Sequence, residues 1–190
     1  MHQIAWLIFL LPFSLWASSP RAVDTVDFDH VQVHYLEQLV KQKIDSLRQA
    51  EGRFPLFHDP ILQDAARDHV RYLSIHGQNS HYQRIPDKYN VLDRVEYYGG
   101  RQLVKVGENV LWKRPARLHR WNDRLKRYET HYFYTYRSLA DAIVKAWVQS
   151  RRHWNTLQIP QFKYTAVAIH IAPESHEIRV VQVFAQYHNR

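Results

Sequence analysis

The chain has no cysteine, one methionine and five glycines in 190 residues. Without cysteine there can be no disulfide framework, thiol nucleophile, cysteine-ligated zinc or lipidated N-terminal cysteine. The length compensates, because a domain of this size buries a core large enough to stand without cross-links. The pattern suits a periplasmic or secreted bacterial protein better than an extracellular animal or plant one. Five glycines and eight prolines beside 45% hydrophobic residues exclude a wholly disordered chain. Internal repeats and low-complexity tracts are missing as well. The long apolar run is also short: "IAWLIFLLPFSLWA", Ile4 to Ala17, falls below the roughly 20 residues of a membrane span. Small residues Ala17, Ser18 and Ser19 follow it, as in a cleaved export signal. Residues 1–22 are therefore read as a signal peptide, and the mature protein as secreted or periplasmic.

Charge is concentrated in one place. Of the formal net +8, the stretch 113–137 holds +6, from eight Lys and Arg against Asp123 and Glu129. Its sequence, "KRPARLHRWNDRLKRYETHYFYTYR", interleaves cations with Trp121, Tyr128, Tyr132, Phe133, Tyr134 and Tyr136.

Around it the chain reads as alternating helices and strands. Leu36, Leu39, Val40, Ile44 and Leu47 recur at helical spacing, and Gly52 ends the segment. "FPLFHDP" is a short extended piece. Asp59 caps a second helix with Pro60 in its first position, and Gly77 terminates it. "VLDRVEYYGG" predicts a short helix with a glycine stop. Ser138 with Asp141 resembles a capping box opening a third long helix, which ends near Ser150. "YTAVAIHIA" and "IRVVQVFAQY" are β-rich and joined by the polar "PESHE", which predicts a hairpin. Helices around a small antiparallel sheet give an α/β layered domain, spanning about residues 28–190 with a basic, aromatic insertion at about 113–137.

Six fragments stand in order: "ILQDAARDHVRYL", "NSH", "GEN", "AWVQS..H", "FKYTAVAI" and "VQVFAQ". Together they resemble the CAP superfamily (cysteine-rich secretory, antigen 5 and pathogenesis-related 1 proteins) in its cysteine-free bacterial branch. The resemblance covers roughly Leu36 to Gln186. It implies an α-β-α sandwich with a cleft lined by paired histidines and acidic residues, here His81, Glu108 and His153. Where other members place a second glutamate, this chain has Ser150, and the usual "SPGH" reads "SRRH" as a stiffer, more basic turn. Trp154 is expected to wedge beneath it.

Two imidazoles and a carboxylate are ligand types that suit zinc with an open position. His81 and His153 are therefore candidate metal ligands, and a divalent-metal hydrolase using the His81, Glu108 and His153 cleft is one alternative. Glu96 is a possible substitute for the missing acid. Equally, a His–Glu pair can do no more than tie loops to helices by buried hydrogen bonds. The other histidines, His69 and His170 among them, read as packing or surface residues, and no Ser-His-Asp pattern stands out.

The resemblance implies lipid or sterol-like ligands, or envelope components, which favours a binding protein over an enzyme. The basic arm is expected at the cleft rim. Its Arg114, Arg117, Arg120, Arg124, Lys126 and Arg127 are candidates for binding lipid or another anionic envelope component. A purely solvated insertion is the plainer alternative. Nucleic acid matches the composition, but export removes it as a partner. The pattern carries no signal for an oligomeric state.

Overall fold

The structure, a computed structural model, describes residues 20–188; the apolar run Ile4 to Ala17 lies outside them. Among the described residues no helix is long and apolar enough to cross a membrane.

Helix α1 (Val33–Ala50) places Leu36, Val40 and Ile44 on one fully buried stripe. A two-residue strand β1 (Phe57–His58) leads into α2 (Pro60–Ile75). Asp59 caps α2 as expected: its carboxylate accepts the N–H groups of Ile61 and Leu62 at 2.8 and 3.3 Å. Gly77 follows with φ +61°, a conformation glycine adopts without strain. Helix α3 (Val91–Tyr97) starts with an Asn90/Asp93 capping box. The long strand β2 (Leu103–Lys113) carries the "GEN" fragment. Next come β3 (Arg117–Asn122) and β4 (Arg127–Tyr132), then α4 (Tyr136–Gln149) and α5 (Arg151–Leu157). Strands β5 (Tyr164–Ile171) and β6 (Ile178–Tyr187) end the described chain.

The main sheet runs β1-β5-β6-β2. It is antiparallel except for β1, which pairs with β5 in parallel. One face packs on α1, α4 and α5 through Val167, Ile169, Val180 and Phe184. The other packs on α2 and α3 through Ala166, Ala168, Val181 and Val183. The fold is the expected α-β-α sandwich, with an added β3–β4 hairpin that forms a sheet of its own.

Three local expectations need correction. The cap of α4 is Thr135 with Ser138, not Ser138 with Asp141: Thr135 Oγ1 accepts Ser138 N–H at 3.2 Å and Ser138 Oγ accepts Thr135 N–H at 2.9 Å. A Thr-x-x-Ser pair satisfies the same orphan donors one turn earlier. The segment after Ser150 is not a turn, since residues 151–157 continue as α5; Trp154 there packs partly buried against the core. The insertion does not leave from the cleft rim either. Lys113 pairs with Ile178 beside the β5–β6 turn, about 17 Å along β2 from Glu108 at ~3.3 Å per residue.

The glycine of "GEN" has a steric reason. A Cβ on Gly107 would lie 2.7 Å from the Phe162 ring, and Phe162 is itself buried and stacked on Phe184. Any side chain there would overpack the core.

Candidate functional site: a buried ion pair beneath two histidines

Strand alternation decides which side chains meet. On β2, Val106, Glu108 and Val110 pair with Ala185, Val183 and Val181, and so face α2 and α3. Glu108 therefore points into an otherwise apolar layer, where its side chain is 2% exposed. A lone carboxylate there would be costly. Arg94, on the inner stripe of α3 and 0% exposed, meets it: Nη2 donates to Oε2 at 2.6 Å. The second oxygen, Oε1, accepts from His81 Nδ1 at 2.9 Å. Since a carboxylate only accepts, that nitrogen carries the hydrogen. Arg94 also reaches the His81 carbonyl at 3.4 Å. Glu108 and Arg94 thus clamp the loop carrying His81, whose own ring is half exposed.

His69 lies beneath, fully buried and 3.7 Å from Glu108 Oε1. Its Nε2 donates to the Ser80 carbonyl at 2.9 Å, while Nδ1 faces the Gln83 amide at 3.2 Å. One donor and one acceptor is the pattern of a neutral imidazole. Burial pushes His69 down to about 4, the nearby Glu108 opposing and Arg94 reinforcing the shift.

The sign of the linkage follows. The folded state holds this proton less tightly than an ordinary histidine at ~6.5, so stability is intact above that value and is lost as pH falls toward 4. The contribution is about 3 kcal/mol. Urea denaturation should show stability falling from pH 6.5 to 4, with a shallower fall in His69→Gln. An unchanged slope in that variant would place the acid lability elsewhere.

His153 sits on α5, half-buried. Burial lowers its pKa, and the neighbouring His81 lowers it further, so the two rings are electrostatic neighbours. The His153 carbonyl accepts from Asn109 Nδ2 at 3.3 Å, next to Glu108 in sequence, and its Nδ1 is buried without a hydrogen-bond partner. Ser150 lies at the junction of α4 and α5, and its hydroxyl makes no cap hydrogen bond. Glu96 is exposed on the outer side of α3 near Asp87 and Asp93, away from Glu108.

The residues present do not fit zinc. Among the described residues no three His, Asp or Glu side chains are placed to hold a metal ion. Both Glu108 oxygens are engaged, and the Arg94 guanidinium stands where it would repel a divalent cation. The arrangement is suited to fixing a loop and strand against two helices.

Arg94 escaped the sequence reading, and His69 entered it only as a packing residue. Arg94 shares a helical stripe with Val91, Val95 and Tyr98, which was the available signal.

The hairpin presents a different surface. Residues directly opposite share a face, which groups Arg117 with Tyr132, His119 with Thr130, and Trp121 with Tyr128. The Trp121 and Tyr128 rings meet edge-on, 5.1 Å apart. At the tip, Asn122 Oδ1 accepts the N–H groups of Arg124 and Leu125, both at 3.0 Å. Leu118, Trp121, Leu125 and Tyr128 are all exposed, as are Arg117, Arg120, Arg124, Lys126 and Arg127. At the root, Tyr132 packs 4.4 Å from Phe28, and its hydroxyl lies 2.7 Å from His176 Nδ1.

Comparisons with known proteins agree with this architecture. The family model "CAP: Cysteine-rich secretory protein family" matches residues 41–184. Among solved structures, an outer surface protein of Borrelia burgdorferi has a TM-score of 0.64 at 13% identity, covering 83% of this chain and 97% of that one. An extracellular SCP-domain protein of Bacillus anthracis gives 0.59 at 16% identity, covering 80% of this chain and 41% of that chain. The CAP domain of enterococcal PrgA gives 0.55 at 13%, covering 88% and 70%. At these identities the likeness is one of fold. No curated protein matches the chain.

Proposed function

The chain belongs to the cysteine-rich secretory protein (CAP) family, and from that premise we propose that it is an exported, non-enzymatic protein that binds lipid or other anionic components of a cell envelope. The contact surface is the β3–β4 hairpin. The observation that carries this is the joint exposure, on one projecting ribbon, of Leu118, Trp121, Leu125 and Tyr128 among Arg117, Arg120, Arg124, Lys126 and Arg127. Aromatic rings with an apolar body and a polar edge favour the membrane–water interface. Flanking cations are drawn to anionic headgroups at about 1 kcal/mol each. Only Asp123 and Glu129 oppose them on the hairpin, and Glu129 is partly occupied by Asn122 Nδ2 at 2.9 Å.

Export accords with the apolar N-terminal run and with the extracellular and outer-surface descriptions of proteins of like fold. It also argues against nucleic acid as the polyanion. The Glu108 cluster serves the fold in this account.

The mature chain should co-sediment with vesicles rich in phosphatidylglycerol and stay in solution with purely phosphatidylcholine vesicles. Retention should weaken steeply as salt is raised from low ionic strength to about 0.5 M, where the screening length falls well below 10 Å. Equal retention on both vesicle types would refute the proposal.

A further inference from the structure

Where the hairpin joins the body, a cavity of about 250 Å³ is lined by Arg114, Pro115, Arg117, Tyr132, Ser175 and Glu177. It lies at the β5–β6 turn, separate from the Glu108 cluster. At ~30 Å³ per water it holds roughly eight waters' worth of space. That is just under the ~300 Å³ at which pockets accept drug-sized molecules. It suits a headgroup and not a whole lipid.

Its charges are organised. Glu177 Oε1 accepts Arg114 Nε at 2.9 Å and lies 2.9 Å from Nη2, and Oε2 accepts Trp112 Nε1 at 3.2 Å. Arg179 Nη2 stands 3.6 Å from the same oxygen. Glu177 is thereby engaged in orienting Arg114, whose guanidinium also lies over the Trp112 ring at 5.2 Å. Arg117, opposite Tyr132 on the hairpin, has no acidic partner among the described residues. The lining therefore offers the unpaired Arg117 guanidinium, the Nη1 of an Arg114 whose Nε and Nη2 face Glu177, and the Ser175 hydroxyl hydrogen, against one carboxylate already satisfied by cations.

We propose that this cavity is a binding site for a phosphoester group, with Arg114 and Arg117 engaging the phosphate oxygens, Ser175 donating a hydrogen bond, and Pro115 and Tyr132 lying against the carbons of an attached glycerol or sugar. Paired guanidiniums match the geometry of phosphate oxygens better than ammonium groups do. The inference rests on the envelope-binding function and adds to the charged ribbon one phosphate-sized site at its root.

Isothermal titration of the full chain with glycerophosphorylglycerol, and separately with inorganic phosphate, tests it. Saturable binding is expected, weakened at least about tenfold by Arg117→Gln, in line with loss of charge-assisted hydrogen bonds. Ser175→Leu, which obstructs the cavity without changing charge, should cause a similar loss. Arg151→Gln/Arg152→Gln, exposed on α5, should stay within about twofold of wild type, because both lie outside the cavity and the hairpin and are screened. Tighter binding of the phosphodiester than of phosphate assigns the site to lipid headgroups; equal binding assigns it to free phosphate. No saturable binding of either ligand overturns the site, and so does an equal loss in the Arg117 and α5 variants. Vesicle retention by the wild type in the face of such a result would leave the envelope function standing.

Discussion

Glu108→Ala should lower the thermal midpoint of the protein by about 10 °C at pH 7. Arg94 and Glu108 are both sealed from solvent, 0% and 2% exposed at the side chain, and they meet at 2.6 Å. Removing the carboxylate leaves a guanidinium buried in an apolar layer, with only carbonyl contacts of 3.4–3.5 Å to His81, Lys88 and Tyr89. Breaking a buried pair in this way costs about 3–5 kcal/mol. In a domain of 150–250 residues each kcal/mol moves the midpoint by about 2–4 °C. The loss should also free the His81 loop, since Oε1 is the partner of His81 Nδ1.

A second variant distinguishes an unpaired charge from simple loss of volume. Arg94→Met/Glu108→Leu replaces the pair by apolar groups of similar size, an exchange that is often neutral or stabilising. It should recover most of the midpoint lost in Glu108→Ala. A single variant that melts within a degree or two of wild type would mean that the pair holds nothing together. Calorimetry at one pH suffices for both.

Much of this fold was legible because local signals agreed with one another. Asp59 followed by Pro60, the stripe from Leu62 to Leu73, and Gly77 specify α2 from both ends. The β-branched runs of β5 and β6 flank a polar turn and read as the hairpin they form. Strand β2 was harder to see, because Glu108 falls on the same face as Val106 and Val110 and breaks the alternation of polar and apolar residues, so only the "GEN" fragment drew notice. The α4 cap was misplaced by three residues because Thr135 and Ser138 both belong to a polar cluster. Helix α5 was hidden by its arginines, which read as a turn while being good helix formers.

For the site, His81 and Glu108 could be named but not the reason they meet. That reason is Arg94, a charged residue on a short helix whose partner is fourteen residues away on a strand, and no local pattern encodes such a pairing. His69 was set aside as packing; it is buried as packing residues are, yet it shares the electrostatics of Glu108.

The charge and aromatic content of the hairpin were legible in the sequence, but its place was not, because the strand pairing of Lys113 with Ile178 fixes it. That placement separates two parts of the molecule that can be altered independently. Arg120, Arg124, Lys126 and Arg127 are exposed on the hairpin, so their neutralisation should leave the melting midpoint nearly unchanged. At about 1 kcal/mol for each cation near an anionic surface, the four together contribute about 4 kcal/mol, roughly a thousandfold in partitioning. Leu118, Trp121, Leu125 and Tyr128 would remain beside Arg114 and Arg117, so the residual affinity should be less sensitive to salt than that of the wild type.

The decisive measurement is the partition coefficient onto phosphatidylglycerol vesicles at low ionic strength for three proteins. These are the wild type, the Arg120→Gln/Arg124→Gln/Lys126→Gln/Arg127→Gln variant, and His81→Ala/His153→Ala. The hairpin variant should fall by about a thousandfold while the histidine variant partitions like the wild type. A hairpin variant that binds as tightly as the wild type, or a histidine variant that loses binding in its place, would contradict the assignment of envelope contact to this ribbon.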